Sequence, residues 1–304
     1  MKGCIAVLFL AISSTLLCNF ESHLKPALDK GQYHTMRNID FIYMINLDQR
    51  PEKFQKSQTQ LNPYGVYPYR FSAVNGWELC LEVINDIGVK YQRGMKKGVK
   101  STFYPLEENL KPHYEYACRE GQNYFCNGMS RGAIGIILSH LSVLQDAYDS
   151  GYETIWVMED DVEVKRDPQI IPLLIDELDQ VVGSDNWDIL FTDRDTKDRQ
   201  GNHIFCYGYG ERLNFIPAKT SFEIKTINSN LRKIVTRYGA YSLIIRRNGI
   251  KKILDFYKAY DVFLAYDMDI FLAPGIQLYT VLEDVVTTRI NAESDNQVPG
   301  YIHK

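Results

Sequence analysis

Apolar and polar positions along the chain follow two different periods. Short, nearly continuous apolar runs predict buried strands at 39–47, 66–74, 154–159, 187–193, 240–247 and 276–282. Segments with a polar surface or a helical apolar stripe predict helices at 51–62, 132–150, 168–182 and 248–260. Because strands and helices alternate, the sequence predicts an α/β fold with a single Rossmann-like, doubly wound and mostly parallel sheet.

Residues 86–129 interrupt this alternation. Basic residues there are interspersed with glycine, proline and aromatic residues, and no period is evident. We predict an inserted, irregular loop region, because long connections inside compact domains are usually functional or disordered. Two interpretations stay open: the insert covers the mouth of an active site, or it is a solvated loop.

The N-terminus has the pattern of a targeting segment. Met1 and Lys2 precede an apolar run at 5–17 that is shorter than the roughly 20 residues needed to span a bilayer. Residues 1–18 are therefore predicted to be a secretory signal peptide or a short membrane anchor. This predicts a protein of the secretory pathway, of the periplasm or associated with a membrane. The main domain is predicted at 39–290, followed by a tail at 291–304.

Composition adds two constraints. The formal net charge of the 304 residues is -4, which argues against a nucleic-acid partner because no overall positive field attracts phosphates. Four cysteines follow the targeting segment, and an even number permits two disulfides, with free thiols as the alternative. The cysteines concerned are Cys80, Cys118, Cys126 and Cys206.

The most informative stretch is "TIWVMEDDVEVK", where an apolar strand runs into Glu159, Asp160 and Asp161. Neighbouring carboxylates repel by about 1 kcal/mol in water and by about 4 kcal/mol at a protein-like dielectric. In an exposed turn this repulsion would be small and no function would follow. At the carboxyl end of a central strand, where doubly wound sheets bind ligands, the cluster instead predicts a hard divalent cation. If the strand continued, Glu159 and Asp161 would share one face and Asp160 the other.

Three blocks of the sequence resemble glycosyltransferase family 25, the lipooligosaccharide and procollagen galactosyltransferase group. The first block is "FIYMINLDQRPEKF" with "RFSAVNGWEL", in which Asn75 replaces the usual aspartate. The second is "SRGAIGIILSHLSVLQDAYDSGYETIWVMEDDVEV", with Ile136 at a position where cysteine is typical. The third is "RYGAYSLIIRRNGIKKIL" followed by "YDMDIFL".

The resemblance implies a GT-A-like fold that uses a UDP-sugar donor and Mn²⁺ or Mg²⁺. Glu159, Asp160 and Asp161 would act as a DXD-type motif in which Asp161 binds the metal directly. Glu159 would also contact the metal, and Glu159 and Asp160 would contact the donor. The donor-binding set implied by the resemblance also contains Asn46, Asp48, Arg50, Ser139 and His140.

An inverting transferase also needs a base for the acceptor hydroxyl. Asp267 and Asp269 are candidates, predicted on an extended piece or turn, and the resemblance favours Asp267. Asp193 lies at the end of a predicted strand and is a third candidate. For all three, helix capping is the structural alternative.

The sequence therefore predicts a metal-dependent glycosyltransferase. It would move a hexose, galactose by the resemblance, from a UDP-sugar to a hydroxyl of a glycan, a lipooligosaccharide or a glycoprotein. A catalytically silent glycan-binding or assembly protein of the same fold is the alternative. A metal-dependent phosphohydrolase is disfavoured, because only six histidines occur and few lie in ordered segments.

Overall fold

The computed structural model describes residues 20–106, 111–218, 222–299 and 301. The predicted signal peptide or anchor, residues 1–18, lies outside these residues. Within them, the strands are β1 Phe41–Asn46, β2 Tyr69–Ser72, β3 Val89–Lys90, β4 Lys100–Phe103, β5 His113–Tyr116, β6 Asn123–Cys126, β7 Thr154–Glu159, β8 Val162–Val164, β9 Ile189–Phe191, β10 Lys225–Thr226, β11 Leu231–Ile234, β12 Ser242–Arg246, β13 Leu278–Val281 and β14 Val286–Thr288. The helices are α1 Pro51–Leu61, α2 Leu81–Ile87, α3 Arg131–Asp149, α4 Ile171–Val182, α5 Arg247–Tyr260 and α6 Tyr266–Asp269.

The central sheet has eight strands in the order β10-β11-β13-β9-β12-β7-β1-β2. β1 pairs in parallel with β2 and β7, and β9 pairs in parallel with β13. β12 is antiparallel to both of its neighbours, and β11 is antiparallel to β10 and β13. Six strands therefore share one direction, which confirms the predicted α/β fold with a mixed, mostly parallel sheet.

The sheet carries apolar side chains on both faces, as a doubly wound sheet requires. In β1, Tyr43 and Ile45 join a core layer that includes residues of α3 and α5. Ile42 and Met44 point the other way, into a layer that includes residues of α1 and α4. Each fully buried side chain of this size stabilises the fold by roughly 1.5–3 kcal/mol. Because successive side chains of β1 pack into opposite core layers, the register of β1 is fixed, and so is the position of its carboxyl end at the edge of the sheet.

The segment 86–129 is not the irregular loop that the sequence indicates. Its described residues contain a four-stranded antiparallel sheet, ordered β3-β6-β4-β5, which ties distant parts of the segment together. Tyr104, Tyr124 and Phe125 are buried in the same core layer as α3. The strands have two to four residues each, too short to display the two-residue period on which the prediction depends. None of the described residues of this insert lines the cavity described below.

Two further observations bear on the predictions. The four cysteines Cys80, Cys118, Cys126 and Cys206 are free thiols, so the alternative without disulfides is the correct one. Among the described residues, no helix is both long enough and apolar enough to cross a membrane.

Candidate functional site

A cavity of about 110 Å³ lies at the carboxyl ends of β1 and β7. Its walls come from the ends of these strands, from the turn at 73–77 and from the first half of α3. Residues 293–296, which follow β14, close the remaining side. The cavity therefore occupies the edge of the sheet at which α/β proteins bind ligands.

The three consecutive carboxylates all line this cavity. β7 ends at Glu159, and Asp160 and Asp161 form the turn that leads into β8. Because the strand ends here, the alternation of faces no longer applies, and Asp160 reaches the same cavity as its two neighbours. The exposed-turn alternative does not describe this cluster, whose side chains are only partly accessible.

Burial makes these carboxylates costly to ionise. It raises the pKa of Asp160 to about 6, although the hydrogen bond from Asn46 and the nearby Lys53 favour the charged form. Burial, together with the charges of Glu159 and Asp160, raises the pKa of Asp161 to about 7. One oxygen of Asp161, Oδ1, is buried and has no hydrogen-bond partner. A cation would relieve both the mutual repulsion and this unsatisfied oxygen.

Asn46 connects β1 to the carboxylate cluster from a fully buried position. Its Nδ2 donates to Oδ2 of Asp160 at 2.6 Å and to the backbone oxygen of Arg50 at 2.8 Å. Its Oδ1 accepts a hydrogen bond of 2.7 Å from Nε of Arg70. With all of these polar contacts made inside the protein, Asn46 holds Asp160 in place and does not line the cavity itself.

His140 and Ser139 both line the cavity from α3. Nε2 of His140 lies 3.1 Å from Oε1 of Glu159, and the imidazole stacks on the ring of Tyr266 with centroids 4.1 Å apart. Oγ of Ser139 accepts a hydrogen bond of 2.8 Å from the backbone nitrogen of Val74. His140 therefore orients Glu159, while Ser139 fixes the turn that forms the opposite wall.

Glycine allows that turn to approach α3. A Cβ atom on Gly135 would lie 2.5 Å from the backbone nitrogen of Gly76, and one on Gly76 would lie 1.8 Å from the carbonyl oxygen of Arg131. Both distances are far below any van der Waals contact. The two glycines of the family-like blocks thus serve the same close approach, which sets the width of the cavity.

Asp48 and Arg50 make internal contacts. Asp48 accepts hydrogen bonds from Arg70 and Ser72 and borders a neighbouring surface cleft. Arg50 has only 3% of its side chain exposed and pairs with Asp295. The donor-binding roles predicted for both residues remain predictions.

The candidate bases have different surroundings. Asp267, on α6, accepts a hydrogen bond of 2.8 Å from the backbone nitrogen of Gly239. Burial raises the pKa of Asp267, as does the negative charge of Glu159, so this side chain lies within electrostatic range of the cluster. It is on a helical turn and not on an extended piece.

Asp193 and Asp269 are buried in ion pairs. Asp269 is inaccessible to solvent and pairs with the equally buried Arg212. Asp193 is also inaccessible and pairs with Arg237 at 3.0 Å. None of the three candidates lines the cavity, but only Asp193 and Asp269 have a fixed arginine partner, and a buried carboxylate in such an ion pair is a typical structural element. These contacts favour Asp267 among the three candidates.

Sequence reasoning missed three parts of the site. Lys53 lines the cavity from α1, a helix that the sequence presents as a polar surface element. Trp77 lines the cavity beside the 73–76 turn. The third part is the stretch 293–296, which the sequence leaves in a tail outside the predicted domain. Lys53 and Trp77 both lie in the first family-like block, which was the local signal for either residue, whereas the stretch 293–296 had none.

Within the described part of the chain, no group of three or more histidine, cysteine or acidic side chains is arranged to hold a metal ion by itself. Glu159 and Asp161 nevertheless provide hard oxygen ligands of the kind that Mn²⁺ and Mg²⁺ prefer. The residues present therefore fit a cation whose remaining ligands come from water or from a bound substrate.

A mixed α/β sheet with an acidic cluster at the end of a central strand is the arrangement of GT-A-like glycosyltransferases. The chain belongs to glycosyltransferase family 25: the family model described as "Glycosyltransferase family 25 (LPS biosynthesis protein)" matches residues 39–271. The chain is 27% identical over 176 residues to a "Glycosyltransferase 25 family member" of Aedes aegypti, and 24% identical over 178 residues to one of Drosophila melanogaster. The matched regions cover 58% and 59% of this chain and 24% of each relative, so they span about a quarter of the relatives' length.

Proposed function

We propose that this family 25 glycosyltransferase uses a UDP-sugar, with galactose as the transferred hexose, and a divalent cation. The observation that carries the proposal is the cluster Glu159, Asp160 and Asp161, which lines a cavity at the carboxyl edge of the sheet. The acceptor is a hydroxyl of a glycan, a lipooligosaccharide or a glycoprotein. The words "LPS biosynthesis protein" in the family's description support a surface glycan as the acceptor class.

The carboxylates would hold Mn²⁺ or Mg²⁺ through Asp161 and Glu159. When bound, the cation neutralises the negative charge that develops on a departing diphosphate. Asn46 keeps Asp160 in position, and His140 does the same for Glu159. Because two carboxylates do not complete a coordination shell, this arrangement suits a cation that arrives with a phosphate-bearing donor.

Asp267 is the group that would take the proton from the acceptor hydroxyl. Its raised pKa brings it closer to the pH at which a general base accepts and releases protons effectively. Transfer with inversion requires such a base on the side of the sugar opposite the leaving group. The predicted N-terminal signal or anchor would bring the enzyme to the secretory pathway, the periplasm or a membrane, where surface glycans are assembled.

The experiment is a calorimetric titration of the protein with UDP in the presence and absence of MnCl₂, followed by transfer and hydrolysis assays with a panel of UDP-sugars. We expect UDP to bind only weakly without Mn²⁺ and UDP-galactose to be turned over. Asp161→Asn should abolish the Mn²⁺ effect, whereas Asp176→Asn, which changes an exposed carboxylate paired with Arg37, should leave it intact. Failure to bind or hydrolyse any UDP-sugar would leave the silent glycan-binding protein as the better description.

A further inference from the structure

The residues that close the cavity form a defined segment, 291–299, which we call the cover segment. The indole Nε1 of Trp77 donates to the backbone oxygen of Asp295 at 2.9 Å. Oγ of Ser130, the residue that caps α3, lies 2.6 Å from the backbone oxygen of Asn296. The backbone of Glu293 accepts a hydrogen bond of 2.7 Å from Nζ of Lys53. The cover segment is thus attached to three separate parts of the cavity wall.

The central contact of the cover segment is the carboxylate of Asp295, which lies between the positively charged side chains of Arg50 and Lys53. Nη1 of Arg50 lies 2.7 and 3.0 Å from the two oxygens of Asp295, and Nζ of Lys53 lies 2.8 Å from Oδ2. The side chains are 3% exposed for Arg50, 9% for Asp295 and 12% for Lys53. Arg50 also pairs with Glu293 at 2.9 Å and, through Nε, with Glu52 at 2.7 Å. Two nearly buried cations beside a carboxylate cluster form an anion site that the chain fills with its own acidic side chain.

The cavity is too small for a nucleotide sugar while the cover segment is in place. Pockets that bind ligands of this size usually measure about 300–1,000 Å³, whereas this one measures about 110 Å³. A second cavity, of about 310 Å³, is bordered by Arg50, Lys56 and Arg289 and by the first residues of the cover segment. Both cavities are lined by Lys53 and Glu293, so they are neighbours that meet at the cover segment.

We propose that Arg50 and Lys53 form the binding site for the donor diphosphate, and that Asp295 occupies this site until the donor displaces the cover segment. This inference rests on the proposed function and adds to it a binding residue, Lys53, and a competing internal ligand. A phosphate oxygen makes the same charge-assisted contacts with a guanidinium and an ammonium group that the Asp295 carboxylate makes here.

The charges around the cavity explain why the donor diphosphate must displace the cover segment and cannot bind beside it. Six carboxylates, those of the cluster together with Glu52, Glu293 and Asp295, surround Arg50 and Lys53. A divalent cation entering alone is attracted by these carboxylates, so it leaves the cover segment in place. A diphosphate carries negative charge into the position that Asp295 holds, and like charges at a partly buried site repel strongly. Departure of Glu293 and Asp295 removes that repulsion and frees Lys53 and the two terminal nitrogens of Arg50, whose Nε stays paired with Glu52.

The first test is calorimetry with UDP and with inorganic pyrophosphate, each in the presence of MnCl₂, on the full chain. Asp295→Asn removes the competing charge and nearly conserves shape, so we expect it to tighten the binding of both probes about tenfold. Lys53→Met should weaken both. Asp176→Asn, the matched loss of an exposed carboxylate, should bind as the unmodified chain does.

The second test is amide hydrogen exchange in residues 291–299. We expect faster exchange when UDP and MnCl₂ are added together and no change with MnCl₂ alone. Weaker UDP binding by Asp295→Asn, or added protection of the segment by UDP, would overturn the proposal and show that the segment completes the donor site. If pyrophosphate behaves as expected while UDP does not bind to any variant, the anion site stands and the proposed donor is wrong. Failure of both probes to bind would overturn the anion site and the proposed donor together.

Discussion

The side-chain amide of Asn46 donates a hydrogen bond of 2.6 Å to Oδ2 of Asp160, which joins the end of β1 to the end of β7. The second N–H of the amide binds the backbone oxygen of Arg50, so the amide cannot rotate without losing a buried hydrogen bond. The position of the carboxylate cluster therefore depends on β1 as well as on β7.

Replacing Asn46 should impair metal-dependent donor binding without touching a metal ligand. We expect Asn46→Ala to weaken the binding of UDP in MnCl₂ by about tenfold or more, the usual effect of removing a residue that orients a ligand. Asn46→Asp should be worse, because it sets a carboxylate against Asp160. Calorimetry measures the effect, with Asn202→Ala, a change at an exposed residue whose side chain binds Asp198, as the control. Titration curves of Asn46→Ala that overlay those of the unmodified chain would contradict this role.

The role of Asn46 shows where sequence reasoning reaches its limit. The apolar run predicts β1, and the family resemblance places Asn46 in the donor site. The contact itself joins residues 114 positions apart, and it exists only because β1 and β7 are paired in a particular register. Local sequence patterns predict helices, strands and strand ends well. Contacts between side chains on different elements can be identified only once the pairing of those elements is known.

The same limit explains the two aspartates that are buried in ion pairs. Asp193 and Asp269 occupy positions suitable for a base in the sequence, at a predicted strand end and in the family-like "YDMDIFL" segment. Their partners, Arg237 and Arg212, lie in the stretch before β12 for which the sequence offers no periodic pattern. The cover segment escaped prediction for a related reason, since its polar residues resemble a solvated tail until Arg50 and Lys53 are brought beside them.

The acidic cluster predicts a change in stability on adding metal. Mn²⁺ should raise the melting temperature progressively as its concentration rises above the dissociation constant, because binding to the native state alone stabilises it. Asp161→Asn should remove most of this shift and should itself raise the melting temperature in metal-free buffer, since it removes repulsion from a buried cluster. Differential scanning fluorimetry with MnCl₂ and with EDTA measures both effects. An equal shift in the variant and the unmodified chain would place the cation elsewhere.

The candidate bases can be separated by asking whether a substitution harms stability or turnover. Asp269→Asn leaves the buried guanidinium of Arg212 without its counter-charge, which should destabilise the fold by about 3–5 kcal/mol. Asp267→Asn keeps an oxygen to accept the hydrogen bond from Gly239 and should leave the free energy of unfolding nearly unchanged. Urea unfolding measures this difference directly.

Turnover should show the opposite order for the same two variants. Asp267→Asn should lower kcat by about 10²-fold or more, the usual contribution of a general base, with little change in KM for the donor. At a temperature where Asp269→Asn remains folded, its kcat should be close to that of the unmodified chain. A stable Asp267→Asn variant with unchanged kcat would exclude Asp267 as the base.

Gly132 offers a way to release the cover segment without changing any charge. A Cβ atom at this helical position would lie 2.3 Å from the backbone oxygen of Asn296, so Gly132→Ala must push the segment away. Alanine is a better helix former than glycine by about 1 kcal/mol, so α3 itself should not suffer. We expect faster hydrogen exchange across 291–299 with the melting temperature nearly unchanged.

Gly249→Ala is the matched control: its Cβ would meet the backbone of Asp188 at 2.8 Å, which should lower the melting temperature and leave exchange in the cover segment as it was. Unchanged exchange in Gly132→Ala would mean that the segment adjusts within its present contacts, and that its hold on the cavity is firmer than the proposed displacement by donor requires.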